Sequence, residues 1–426
     1  MESVANQHPA TTQQEDINAH ILSVGRNLAT ALRGLLEQVQ GGPHGPKQLA
    51  GILGVNKDTS HRLVGALRKR DPLAVIHQLP GPEPLRRVVK ACVKNGVPRE
   101  RTAAAEEAIH QFAQLIQREG GDRSGLDAII SAWLPSARAR FESSAKQLSY
   151  RAMRQIKGIA ADVTFNTVFI HPGNHPTRLD LLRLEGMIGV RCVRPGGLLK
   201  LGRRSLNSLA IAGENPISTL DGAPIGDISD VVLEPFCSKP RIQIDVQRKG
   251  QDVLYLLDWG GALGLSSARD IVMGEVRRGG MRRYRTADDT RTKSGGVVDI
   301  GVPARVQVCD YILHEDVYPD WTPNVRVLEL GPMGYAEVND ESRDVDVLDV
   351  VETIQPLGSG IERFRCEEIP RYTEMLQYAC DRFGWNPQSF RGYRCQVEYP
   401  IVGSQLQFVF NVPIGPPELF RDIPAQ

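Results

Sequence analysis

The chain has 426 residues, 41% of them apolar and 24% charged, which is the composition of a globular protein with two or three domains at ~150 residues each. No apolar run approaches the ~20 residues of a membrane helix, and Met1 to Gln14 lacks the basic-then-apolar pattern of a secretory leader, so a cytoplasmic protein without membrane association is expected. The net charge of +1 conceals an asymmetry: residues 1–160 hold 22 Lys/Arg against 14 Asp/Glu, a balance of +8, and the remainder holds 29 against 36, a balance of −7.

In chain order, residues 1–16 read as a disordered tail. Ile17 to Gln40 reads as a helix, with Ile21, Val24, Leu28, Leu32 and Leu35 on one stripe and Gly41-Gly42-Pro43 as its stop. Lys47 to Leu53 and Lys57 to Arg70 are two further helices. Pro72, Pro80, Pro82 and Pro84 then break the chain. Leu85 to Lys94, Thr102 to Glu119, Leu126 to Trp133 and Ala137 to Ile156 return to helical periodicity. At Gly158 the character changes to β-branched runs with Gly and Pro. Val163 to Ile170 and Val306 to Leu313 are strand candidates. Ile242 to Val246 with Val253 to Leu257, and Tyr393 to Tyr399 with Leu406 to Val412, read as hairpins. Tyr372 to Phe383 is a helix closed by Gly384, and Arg278 to Gly296 is a polar surface loop. One echo recurs: Ala161-Asp162-Val163 leads to Phe169-Ile170-His171, and Ala304-Arg305-Val306 leads to Ile312-Leu313-His314. Chance between two β-rich stretches is preferred over duplication.

The fold expected is therefore multidomain α+β: an all-α N-terminal region followed by a β-rich α+β C-terminal region. Residues 17–95 form a helix-turn-helix domain, 96–157 a helical linker or dimerisation region, and 158–426 an effector or sensor region with a break near 278–296.

The segment from Pro46 to Arg70 carries the chemistry. Pro46 suits a first helical turn, Gly54 a left-handed helix end, and Asn56 an N-cap. Leu49, Ile52, Leu53, Leu63, Val64 and Leu67 face inward, which leaves Lys57, Thr59, His61 and Arg62 outward near the start of the second helix. A basic, capped helix N-terminus fits a major groove and its phosphates, and Arg68-Lys69-Arg70 add salt-sensitive attraction. Lys47, Asn56, Lys57, Thr59, Ser60, His61, Arg62, Arg68, Lys69 and Arg70 are the candidate DNA-binding residues. An ordinary helical hairpin, a protein-binding adaptor, or an enzyme that this unit targets to DNA is the alternative.

Gln48-Leu49-Ala50, Leu53-Gly54-Val55 and Lys57-Asp58-Thr59-Ser60-His61-Arg62-Leu63-Val64 resemble the winged helix-turn-helix of bacterial transcription regulators, IclR-like and MarR-like, over roughly residues 46–72. The resemblance implies a β-hairpin wing after the recognition helix, where this chain has Asp71-Pro72-Leu73 and a Pro-rich Leu79 to Leu85. It implies a dimeric, sequence-specific regulator on double-stranded DNA. The helices Ile17 to Gln40 and Thr102 to Ile156 are the candidate dimer surfaces, and the C-terminal region would sense a small molecule or a protein.

No catalytic constellation is assigned. No P-loop, G-x-G-x-x-G after a strand or G-x-S-x-G elbow occurs. The seven cysteines are odd in number, with no C-x-x-C spacing, and read as reduced thiols rather than a zinc site or disulfide framework. His171 and His175 are four apart among prolines, and His314-Glu315-Asp316 reads as a polar turn, so neither is taken as a metal site. Arg363, Arg365, Arg391 and Arg394 form an anion pocket or pair with the acidic excess. No cofactor is expected.

Overall fold

The computed structural model describes residues 9–40, 45–205, 217–250, 252–332 and 334–420. They form two compact units that divide between Glu142 and Ser143.

The first unit is helical throughout its described residues: α1 (Pro9–Leu36), α2 (Pro46–Leu53), α3 (Lys57–Leu67), α4 (Pro72–Gln78), α5 (Pro82–Lys94), α6 (Arg99–Leu115), a π turn (Ile116–Gly120), α7 (Arg123–Trp133) and the start of α8 (Pro135–Lys157). Prolines explain much of this. Pro46, Pro72 and Pro82 occupy first turns, where the missing N–H has no helical partner, so two of the apparent breaks, Pro72 and Pro82, are helix starts. α1 likewise begins at Pro9, which takes residues 9–16 out of the expected tail; residues 1–8 and the Gly41-Gly42-Pro43 stop lie outside the described residues.

The stripe of α1 is buried: Ile21, Leu28, Leu32 and Leu35 are fully covered and share one core with Leu63, Ile76, Val88, Ile109, Phe112 and Ile130. One expectation changes as a result. Residues 17–95 and 96–134 share one core, because α5 and α1 both pack on α6. The apolar faces of α1 and α6 are closed off inside the unit. α1 crosses α4 closely at Gly25, where a Cβ would stand 2.8 Å from the Pro72 carbonyl oxygen.

The second unit begins inside α8. Lys146 and Glu352 form a buried ion pair, Gln147 Nε2 donates to the Tyr399 hydroxyl at 3.2 Å, and the rings of Tyr150 and Tyr399 lie 5.4 Å apart. The second half of the expected linker helix is thus part of the β-rich unit.

Its strands are β1 (Ile159–Pro172), β2 (Arg178–Cys192), β3 (Lys200–Ser205), β4 (Ile217–Ser218), β5 (Gln243–Lys249), β6 (Asp252–Asp258), β7 (Arg269–Arg282), β8 (Lys293–Asp299), β9 (Ala304–His314), β10 (Asn324–Glu329), β11 (Gln355–Ser359), β12 (Phe390–Glu398) and β13 (Ser404–Asn411), with helix α9 (Tyr372–Phe383) ahead of β12. A seven-stranded sheet runs β11-β12-β9-β1-β2-β7-β4, and two three-stranded sheets run β10-β13-β8 and β3-β6-β5. β1 and β9 pair in parallel; the other pairings are antiparallel. On one face Phe169, Ile312 and Phe390 pack with Tyr372 and Leu376 of α9. On the other, Ile170, Tyr311 and Leu313 pack with Phe408 and Phe410 of β13. The central strands are apolar on both faces because both are covered.

β12 and β13 do not form a hairpin: β12 pairs with β9 and β11, and β13 with β8 and β10. A strand as buried as β13 needs partners on both edges, and the chain crosses between the layers to supply them. The loop Arg278 to Gly296 is shorter than expected, since β7 runs to Arg282 and β8 starts at Lys293; an Arg282–Asp289 ion pair and a 3.1 Å bond from Arg285 Nε to the Val412 carbonyl pin what remains. The echoed segments are the parallel pair itself, in register: Ala161 faces Ala304, Val163 faces Val306 and Ile170 faces Leu313. Adjacent central strands buried in the same two layers require the same pattern, and that environment accounts for the likeness. Among the described residues, no helix is long and apolar enough to cross a membrane.

Candidate nucleic-acid interface

The turn between α2 and α3 is built by three residues. Gly54 sits at φ 63°, where side chains are strained. Val55 is half-buried, and Asn56 accepts the Asp58 N–H on its Oδ1 at 2.8 Å, capping α3. At the start of α2, Gln48 Oε1 accepts the Gly45 N–H at 3.3 Å. Leu49, Leu53, Leu63, Val64 and Ala66 are buried between the helices and the core.

Lys57, His61 and Arg68 are exposed, and spacings of four and eleven residues place them on one face of α3. Lys47, Asn56, Lys69 and Arg70 are also exposed, and Thr59 is half-buried. Ser60 leaves the set, and Arg62, though exposed, is tied to a neighbouring helix end. Ser60 is fully buried and its Oγ donates to the Pro46 carbonyl at 2.7 Å, locking α3 to the start of α2. Arg62 reaches away from the open face: its Nε and Nη2 donate to the carbonyls of Gln78 and Leu79 at 3.3 and 3.0 Å.

These carbonyls end α4, where helix oxygens lack internal partners and partial negative charge collects. Arg123 of α7 completes the cap, donating through Nη2 to Ile76 and His77 oxygens at 2.7 and 2.9 Å. Burial lowers the Arg123 pKa, opposed by Asp127 beside it. Arg33 of α1 treats the end of α3 the same way, bonding the Leu67 oxygen at 3.1 and 2.9 Å and the Lys69 oxygen at 2.8 Å. None of these caps is visible in the sequence, because each joins residues far apart along the chain. In place of the hairpin wing the resemblance implies, the chain forms α4 and α5. Further exposed cations stand on α5 at Arg87, Lys90 and Lys94, at a helical spacing that the sequence itself displays.

In the second unit, the parallel register brings the ends of β1 and β9 together. The His171 ring lies 4.8 Å from that of His314 and stacks on Trp385 at 4.7 Å. His171 Nδ1 lies 2.8 Å from the Pro172 oxygen, and His314 Nδ1 lies 3.6 Å from Asp316. Burial holds the His171 pKa below its ordinary value; the Pro172 carbonyl and Asp180 oppose this, and His314 and Arg278 add to it. His175 bonds Thr177 instead. Among the described residues, no group of three or more His, Cys, Asp or Glu is placed to hold a metal ion. Of the two readings of the C-terminal arginines, Arg394 follows the pairing one, bidentate on buried Asp310 at 2.8 and 2.7 Å, and Arg391 donates to the carbonyls of His314, Glu315, Val317 and Tyr318. A cleft of about 540 Å³ opens on the seven-stranded sheet beside Thr164, Asn166, Glu185, Met187, Met273 and Gln307.

No protein-family model matches the chain, and no curated protein or solved structure matches it.

Proposed function

We propose that this protein is a sequence-specific DNA-binding transcriptional regulator that docks α3 in the major groove of a duplex. The observation that carries the reading is the row Lys57, His61 and Arg68 on the open face of a helix whose opposite face is buried and whose two ends are held by Asn56 and Arg33. In this assignment Lys57 and the first N–H groups of α3 contact phosphate, and His61 reaches a base edge. Arg68, Lys69 and Arg70 add counterion-release affinity. Arg62 and Ser60 act through position: they hold α3 against α4 and α2.

Two half-sites multiply specificity, so the regulator works as a dimer. Of the helices expected to supply the contact, α8 keeps large apolar side chains exposed, Leu148 and Ile156, and we assign the contact to that face. The β-rich unit is the sensing part, and its sheet cleft is large enough for a small molecule.

The test is an unbiased selection of duplexes by the wild-type chain and by the Lys57→Ala/His61→Ala variant. A palindromic site enriched by the wild type and lost by the variant supports the reading. Equal, sequence-blind recovery by both sinks it.

A further inference from the structure

We infer that α5 is a second nucleic-acid contact, a sequence-blind clamp on the phosphates flanking the site that α3 reads; this rests on the DNA-binding reading above. Arg87, Lys90 and Lys94 are spaced by three and four residues and so form one stripe along α5. All three are exposed, while Leu85, Val88, Val89 and Cys92 on the other side are fully buried in the core of the unit. The stripe is of one sign. Glu83 is engaged by Arg86, and no other Asp or Glu occurs before Glu100.

None of the three cations forms an ion pair or side-chain hydrogen bond with a described residue. Like charges three and four residues apart repel one another and weaken the helix that bears them. A face that merely meets water is better served by mixed signs; three unpaired cations in a row match the regular charge of a phosphate backbone. The stripe also belongs to the same body as α3. α5 packs on α2, and the Arg62 side chain of α3 is bonded to Gln78 and Leu79, just ahead of Pro82 where α5 begins.

The experiment measures affinity of the full-length chain for a random-sequence duplex of about 30 base pairs, and for the selected site, from ~50 to ~200 mM KCl. The wild type is compared with Arg87→Gln/Lys90→Gln/Lys94→Gln, with Arg87→Lys, and with Lys57→Ala/His61→Ala. The triple variant is expected to lower the slope of log affinity against log salt by about 2 to 3, near 0.9 for each lost phosphate contact. It weakens selected and random duplexes by the same factor and melts at the wild-type temperature. Arg87→Lys keeps the wild-type slope. An unchanged slope in the triple variant, with wild-type binding intact, overturns the clamp and leaves the α3 reading standing. A loss confined to the selected site also overturns it, since that assigns α5 to base reading. No salt-dependent binding by the wild type overturns both readings.

Discussion

The two units use their arginines differently. In the β-rich unit two buried guanidinium groups are internal braces. Arg343 is 4% exposed, pairs with Asp346 and donates to the carbonyls of Glu329, Leu330 and Gly334. Arg394 holds Asp310, which is fully buried and also accepts the Tyr372 hydroxyl at 2.6 Å. In the helical unit Arg33, Arg62 and Arg123 brace helix ends, but Lys57, His61, Arg68, Lys69 and Arg70 remain in solvent. A planar fork with five donors suits carbonyl clusters better than an ammonium does, which is why the braces are arginines. Net charge is therefore a poor guide to binding capacity. What reaches a polyanion is the positive charge left after carbonyls and carboxylates are satisfied.

The contrast is sharpest at Arg394. Arg394→Met strands a buried carboxylate, and the second unit should lose about 3–5 kcal/mol in denaturant or thermal unfolding. Arg394→Met/Asp310→Leu should regain most of it. If the single variant unfolds like the wild type, the brace is not structural and an anion site must be reconsidered. Next is Arg62→Ala, expected to cost about 1–2 kcal/mol through the exposed carbonyls of α4 and to reduce DNA affinity along with stability. His61→Ala should reduce affinity and leave the melting curve in place. An Arg62→Ala chain that melts normally yet fails to bind DNA would return Arg62 to the groove and erase the distinction between brace and contact.

Gly54→Ala should cost about 1 kcal/mol, because alanine at φ 63° is strained although the space beside it is open. The smallest effect concerns His171. Its pKa in the folded chain lies below the ordinary 6.5, chiefly through burial, with the Pro172 carbonyl and Asp180 opposing and His314 and Arg278 adding. The unfolded chain therefore takes up the proton first as pH falls. Stability from this group is complete above 6.5 and declines as pH drops toward the folded value. His171→Phe should flatten the pH dependence of the melting temperature of the second unit between roughly pH 7 and 5. A profile that His171→Phe leaves unchanged would place the acid sensitivity elsewhere.

What the sequence determined by itself is what depends on near neighbours. The Tyr372–Phe383 helix and its Gly384 end at φ 63° follow from periodicity and glycine alone, as do the Asn56 cap and the Gly54 turn. The all-helical first part and sheet-rich second part follow from the change of pattern at Gly158. Tertiary structure decided the rest because the partners are distant. Ser60 is removed from the surface by Pro46, fourteen residues away, and the exposed Arg62 is tied to Leu79, seventeen away. The prolines at 72 and 82 become helix starts because α1 and α6 supply a core for α4 and α5 to cover. β12 and β13 look like a hairpin and separate because two layers must each be completed. His171 and His314 meet because β1 and β9 lie side by side in parallel, a pairing that their matching residues permitted and that only the assembled sheet could impose.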